Sequence, residues 1–227
     1  MRARALGFDF DHTLGLDNKL ERVAFMRLLE PIVADGGAVL GTLHEEILRI
    51  DALLARQRSG ACSIEEAVDG FVRERGVADA SGYADEYKRF ALAGVDAFVV
   101  PLPGARECCA RMRDLKIPHG ILTNGWSPLQ QRKAARVGFE GPVIASADIG
   151  SQKPAAGAFA ALVTALGTDA ADVAYVGDNP AIDVAGALGA GLRAVWLDAE
   201  GDAYPANVAR PTAVIHSLHE VLAFVRP

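Results

Sequence analysis

Two aspartates with one residue between them, Asp9 and Asp11, close the first apolar run of the chain, and Thr13 follows at once in the stretch GFDFDHTLG. A strand that needed only a polar end would not require two like charges so close. Carboxylates a few ångströms apart raise each other's pKa and stay ionised only where a cation compensates them. Other apolar runs end in polar groups of the same kind: Thr123 and Asn124 close IPHGILTN, Asp178 closes DVAYVGD, and GSQKP carries Lys153. Asn179 and Pro180 read as a helix N-cap and first helical residue, with Asp183 one turn inside. An oxygen-only donor set lacking histidine or cysteine favours a hard ion, and Mg2+ commonly takes few carboxylates while keeping waters and a phosphate oxygen. Asp9 and Asp178 are the expected ligands, together with the backbone carbonyl of Asp11.

The elements that must position these groups follow from hydrophobic periodicity. Arg4 to Phe10 reads as a short strand. From Leu16 to about Phe98 the pattern is helical: Leu43, Ile47, Ile50, Leu53 and Leu54 share one apolar face. Ser63 and Glu66 form a capping box ahead of Val68, Phe71 and Val72, and Gly36-Gly37, Ser59-Gly60 and Ser81-Gly82 mark turns. After Pro101 and Pro103, strands and helices alternate. Helices over 105–115, 129–137, 155–166 and 181–188 separate the strands IPHGILTN, PVIAS, DVAYVGD and LRAVWLD. Such alternation implies an α/β fold, a doubly wound and mostly parallel sheet covered on both faces. The first strand belongs to it and, if the strand order is the usual one, lies between the ILTN and AYVGD strands. The expected organisation is a core of residues 1–15 and 100–227, with residues 16–99 inserted as a small all-helical cap.

In open parallel sheets ligands bind beyond the carboxyl ends of the strands, where strand order reverses, so the polar groups above should converge on one crevice. Alternation along a continued strand would put Asp9 and Asp11 on one side, so the chain must turn directly after Asp9 to give them different tasks. Ser127-Pro128 and Lys153-Pro154 are expected to place proline in a first helical turn.

Composition limits the partners. The 227 residues are 51% hydrophobic with a net charge of −6, enough for a sizeable core and contrary to a broad basic surface for nucleic acid or anionic lipid. A small-molecule partner, no nucleic-acid polymer and no membrane is the expectation. The N-terminal apolar run meets Asp9 too early for a signal peptide, which points to the cytoplasm. Cys62, Cys108 and Cys109 are spaced as small buried apolar residues rather than as a zinc site or disulfide framework.

The segments DFDHT, LTNG, QKP and GDNPAID, in that order, resemble the four motifs of the haloacid dehalogenase-like hydrolase superfamily, over roughly residues 1–15 and 100–227. An insertion after the first motif is similar to its subfamily I, and TNGWSPLQQRK resembles its nucleotidase-like and acylneuraminate-phosphatase-like branches. The resemblance implies a Rossmann-like core and a Mg2+-dependent phosphatase of small phosphorylated metabolites. Asp9 would be the nucleophile that forms an aspartyl-phosphate, and Asp11 the acid and then base. Thr123, Asn124 and nearby backbone N–H groups would bind phosphoryl oxygens, and Lys153 would neutralise charge in the transition state. Asp183 would orient a metal-bound water or Lys153, with Thr13 and Asn179 in support.

Rival readings share parts of this pattern. A haloacid dehalogenase needs no second carboxylate in its first motif, so Asp11 and Asp178 speak against it. A phosphomutase would keep both and differ in its cap. A signalling receiver carries its acceptor on a later strand than its acidic pair, and a binding protein would need no nucleophile. His12 offers a backbone N–H to phosphate, and Trp126 either faces the leaving group or packs against the cap. Specificity is expected from cap residues near 17–22 or 56–59.

Overall fold

The computed structural model describes residues 3–17, 19–58, 60–201 and 203–225. Asn18 and Ser59, which fall in the two stretches expected to set specificity and, for Ser59, in an expected turn, lie outside the described residues. The chain forms two compact units: one of Asp17–Val99, the other of the flanking stretches up to Leu16 and from Val100.

In chain order the elements begin with β1 (Ala5–Phe8) and the two-residue β2 (Gly15–Leu16). Four helices follow, α1 (Leu20–Ala34), α2 (Leu43–Arg58), α3 (Ile64–Glu74) and α4 (Tyr83–Phe98). Next come β3 (Val100–Pro101), α5 (Ala105–Asp114), β4 (His119–Thr123), α6 (Leu129–Arg136), β5 (Val143–Ala145), α7 (Ser146–Ile149) and α8 (Ala156–Leu166). The last part holds β6 (Val173–Gly177), a π-helical turn over Pro180–Val184, α9 (Ala185–Gly189), β7 (Arg193–Leu197) and β8 (Ala213–Ile215).

The sheet unit is built on six parallel strands in the order β5-β4-β1-β6-β7-β8. β1 therefore lies between β4 and β6, at the place where strand order reverses, as the usual order of such sheets led one to expect. On one face, Phe159 and Leu162 of α8 pack on Tyr175 and Leu122, with Trp196 and Val184 in the same apolar cluster. The short strands β2 and β3 pair with each other, antiparallel, and β8 joins the sheet edge; none of these three is long enough to show in a periodicity reading. Helix 181–188 of the sequence reading is corrected to a π turn followed by α9. The expected proline positions are corrected too: Pro128 is the N-cap of α6, and Pro154 lies before Ala155, the N-cap of α8. Cys108 and Cys109 are buried, and burial pushes their thiols up to about 12 and about 11, whereas Cys62 is half-buried.

Phe25, Phe71 and Tyr87 form the aromatic centre of the helical unit, with ring centroids 5.1 Å (Phe25–Phe71) and 4.7 Å (Phe25–Tyr87) apart. The Ser63–Glu66 capping box starts α3. The expected apolar face of α2 is only partly right. Leu43 is exposed, Ile50 and Leu54 are buried, and Glu46 is buried with them. Glu46 can enter because it meets the equally buried Arg75, whose guanidinium also donates to the Phe71 carbonyl (2.8 Å) and covers the Phe71 ring. The other carboxylate oxygen accepts from Leu40 N–H at 2.8 Å. Removing one member of a buried pair strands the other charge, so Glu46→Ala should cost about 3–5 kcal/mol in denaturant unfolding. Glu46→Leu combined with Arg75→Met should recover most of that loss; a single substitution costing no more than a surface change would refute the account.

Candidate active site

β1 ends at Phe8, one residue before the first aspartate, and the chain turns at once. Leu14 N–H and Gly15 N–H both donate to the Phe10 carbonyl, at 2.8 and 3.0 Å, and Thr13 N–H does so at 3.2 Å. The turn needs His12 at φ 58° and a glycine at 15, where a Cβ would lie 2.8 Å from the Phe10 ring. His12 N–H is spent inside the loop on the Gly15 carbonyl (2.9 Å), so the expected phosphate contact from that group is corrected. Asp9 and Asp11 thereby leave the strand in different directions and meet different lysines.

Asp9 faces Lys153, whose ammonium lies 2.7 Å from Asp9 Oδ1, 2.7 Å from Asp183 Oδ1 and 3.0 Å from the Tyr175 hydroxyl. Tyr175 in turn donates to the Leu122 carbonyl at 2.8 Å. Lys153 is 5% exposed, which decides how much the pairing matters. Burial alone would lower its pKa, but the carboxylates of Asp183 and Asp9 outweigh it and hold the ammonium charged well above its ordinary range. Asn124 fixes the backbone under it: its side-chain amide donates to the Lys153 carbonyl (3.1 Å) and accepts from Lys153 N–H (2.9 Å). The Asn124 side chain is thus tied to the lysine loop through one amide N–H and its carbonyl oxygen, which leaves the second amide N–H and the backbone N–H for the expected phosphate role. Thr123, buried at the end of β4, is the neighbouring residue.

Asp178 and Asp183 complete the cluster. Asn179 caps the turn that begins at Pro180 by accepting from the N–H groups of Ala181 and Ile182, and its own N–H donates to Asp183 Oδ2 at 3.0 Å. A Cβ at Gly177 would fall 2.4 Å from Asp183 Cγ, so only glycine there lets Asp183 tuck under the end of β6. Thr13 Oγ1 reaches Asp178 Oδ1 at 3.4 Å, and Trp196 Nε1 donates to the Asp178 carbonyl at 2.8 Å. A cavity of about 300 Å³ borders Asp178, walled by His12, Leu16, Leu102, Trp196 and Leu197.

Oxygens of Asp9, Asp178 and Asp183 all lie within 4.8 Å of one another. Burial, followed by the charges of Asp9 and Asp183, raises Asp178 to about 7; burial raises Asp183 to about 6 against the opposing pull of Lys153. Such an oxygen-only set, strained by its own charge, fits a hard divalent cation. The side chain of Asp11 is elsewhere: both of its oxygens face Lys133 Nζ, at 2.7 and 2.9 Å. Lys133, Tyr175 and Trp196 escaped the sequence reading as site residues. Lys133 carried a signal, since it stands four residues after Leu129 on the apolar face of its helix, where a lysine needs a partner.

A parallel sheet with carboxylates, a lysine and a threonine at adjoining strand ends, and a helical insertion after the first of them, defines the class. The model of haloacid dehalogenase-like hydrolases matches residues 3–191, and the chain belongs to that family. Among its relatives are the pyrimidine 5'-nucleotidase YjjG of Escherichia coli, 38% identical over 53% of this chain and 55% of that protein, and a phosphoserine phosphatase of Thermus thermophilus, 34% identical over 63% and 54%. Matched in this way, the chain spans about half the length of these curated relatives. Its fold is shared with the HAD hydrolase YfnB of Bacillus subtilis, solved bound to magnesium, with a TM-score of 0.74 and 23% identity over the whole of both chains.

Because Asp178 and Asp183 keep their protons to higher pH in the fold than in the unfolded chain, the folded state is the better proton binder from about pH 4 to 7. These two groups make stability fall as pH rises through that window. The melting temperature of the metal-free protein should drop by several degrees or more between pH 5 and 8, and Asp178→Asn should remove most of the slope. Millimolar Mg2+ should restore stability at pH 8. A metal-free curve that is flat in wild type and variant alike would mean that the carboxylates ionise without cost.

Proposed function

We propose that this chain is a Mg2+-dependent phosphatase of small phosphorylated metabolites, which hydrolyses a phosphomonoester through a phosphorylated aspartate. The observation that carries the reading is the separation of the two first-motif carboxylates: Asp9 lies on the buried Lys153, and Asp11 turns away onto Lys133. That separation is what a nucleophile and an acid–base group require of residues so close in sequence. Named relatives that are a nucleotidase and a phosphoserine phosphatase support the same chemistry.

In this reading an Asp9 oxygen bonds to phosphorus as the ester P–O bond breaks, and Asp11 gives its proton to the departing oxygen. Asp11 then takes a proton from water, whose oxygen bonds to phosphorus while the bond to Asp9 breaks, releasing inorganic phosphate and returning both carboxyls to their starting state. The Thr123 hydroxyl and the Asn124 backbone N–H hold phosphoryl oxygens, and Lys153 offsets charge shared by nucleophile and phosphoryl group. Mg2+ held by Asp9, Asp178 and the Asp11 carbonyl, with Asp183, Thr13 and Asn179 in support, would supply the further positive charge that three clustered carboxyls and a phosphate demand. Residues 1–15 and 100–227 would form the catalytic core and 16–99 the cap that sets specificity. The partner is a small phosphorylated molecule, neither nucleic-acid polymer nor membrane; among the described residues no helix is long and apolar enough to cross one.

Hydrolysis of nucleoside monophosphates, sugar phosphates and an aryl phosphate, with Mg2+ or EDTA, tests this directly. Wild type should cleave at least one ester only with Mg2+, and Asp9→Asn should lower kcat by about 1,000-fold or more. A variant as active as wild type would remove Asp9 as nucleophile, and transfer of phosphate between sugars without release would favour a mutase.

A further inference from the structure

Helix α6 buries Leu129, Gln130, Lys133 and Ala134. Lys133 is 1% exposed, and a buried ammonium persists only where charge and hydrogen bonds meet it. Its Nζ lies 2.7 and 2.9 Å from the two Asp11 oxygens and 4.9 Å from the centre of the Phe10 ring. Phe10 is fully buried, and its carbonyl gathers the N–H groups of the turn, so the ammonium sits on a rigid floor. The Asp11 side chain remains 32% exposed although both of its oxygens face the ammonium, so it is held in place without being closed off. Asp9 is served by another lysine, from another element.

We infer that Lys133 is a positioning residue: it holds the Asp11 carboxyl in the orientation in which that group exchanges a proton with the leaving oxygen and then with water. The inference rests on the phosphatase reading above. In this reading Lys133 acts through Asp11 rather than on the phosphoryl group, so its loss should lower kcat without weakening substrate binding, and KM should not rise. The effect must also depend on the leaving group. An alkoxide needs the proton that Asp11 brings, whereas an aryl oxide departs without it. Water activation needs Asp11 in both cases.

The test compares wild type, Lys133→Met, Lys133→Arg, Asp11→Asn and the double variant on an alkyl phosphomonoester and on p-nitrophenyl phosphate. Lys133→Met should lower kcat for the alkyl ester by about 100-fold, the lower end of what a positioned acid–base group contributes. With p-nitrophenyl phosphate the first turnover should stay fast and later ones slow, giving a burst of p-nitrophenolate as the phosphorylated enzyme accumulates. Lys133→Arg, which keeps the charge, should recover part of the loss. Adding Lys133→Met to Asp11→Asn should cost little more, since both act through one carboxyl. Equal losses on both esters without a burst, or additive losses in the double variant, would overturn the positioning role even if every variant folds. Should wild type cleave neither ester nor any of the panel, the phosphatase reading itself fails; an active wild type with a parallel variant profile sinks the Lys133 inference alone.

Discussion

The charge on Lys153 is the constraint on which the sheet unit's polar end depends. A buried ammonium must be surrounded by acceptors, and here they arrive from three places: Asp9 after β1, Tyr175 within β6, and Asp183 in the turn beyond β6. Each acceptor has its own support. Tyr175 is tied to β4 through the Leu122 carbonyl, and Asp183 is seated by Gly177 and the Asn179 N–H. Asn124, at the end of β4, holds the lysine's backbone. Loss of the ammonium would leave Asp9, Asp178 and Asp183 facing one another without compensation, in a site already pushing two of them towards neutrality.

The turn after β1 solves a second problem with little material. Three N–H groups on the Phe10 carbonyl, one residue at positive φ and one glycine against an aromatic ring bend the chain within a few residues. The result is two carboxylates, close in sequence, that face different lysines. Under the proposed function this is what allows one to attack while the other carries a proton. The same arrangement keeps the Asp11 charge outside the Asp9–Asp178–Asp183 cluster, where it would add to the repulsion.

The helical unit follows the same rule of buried charge. Glu46 and Arg75 stand among apolar residues because each offsets part of the other's desolvation cost, with the Leu40 N–H and the Phe71 carbonyl adding one bond to each. A pattern of apolar spacing alone assigned that face to Leu43, which lies in solvent instead. Periodicity registers which side of a helix is buried; it does not register that two opposite charges far apart in sequence will meet there.

What the sequence determined by itself was the set of elements and the order of their polar ends. Alternating apolar runs specified the strands and helices of a parallel sheet and a helical insertion, because strand and helix periods are local properties; the place of the first strand between two later ones followed only on the usual order of such sheets. The convergence of Asp9, Lys153, Asp178 and Asp183 follows from that topology. The partners of individual side chains were decided only in three dimensions. That Asp11 meets Lys133, that the Asn124 side chain serves a lysine loop, that His12 N–H is spent within its turn, and that the last helix starts as a π turn all depend on rotamers and close approaches. The first two are set by packing between residues remote in sequence, and the last two by local backbone geometry that hydrophobic spacing does not encode.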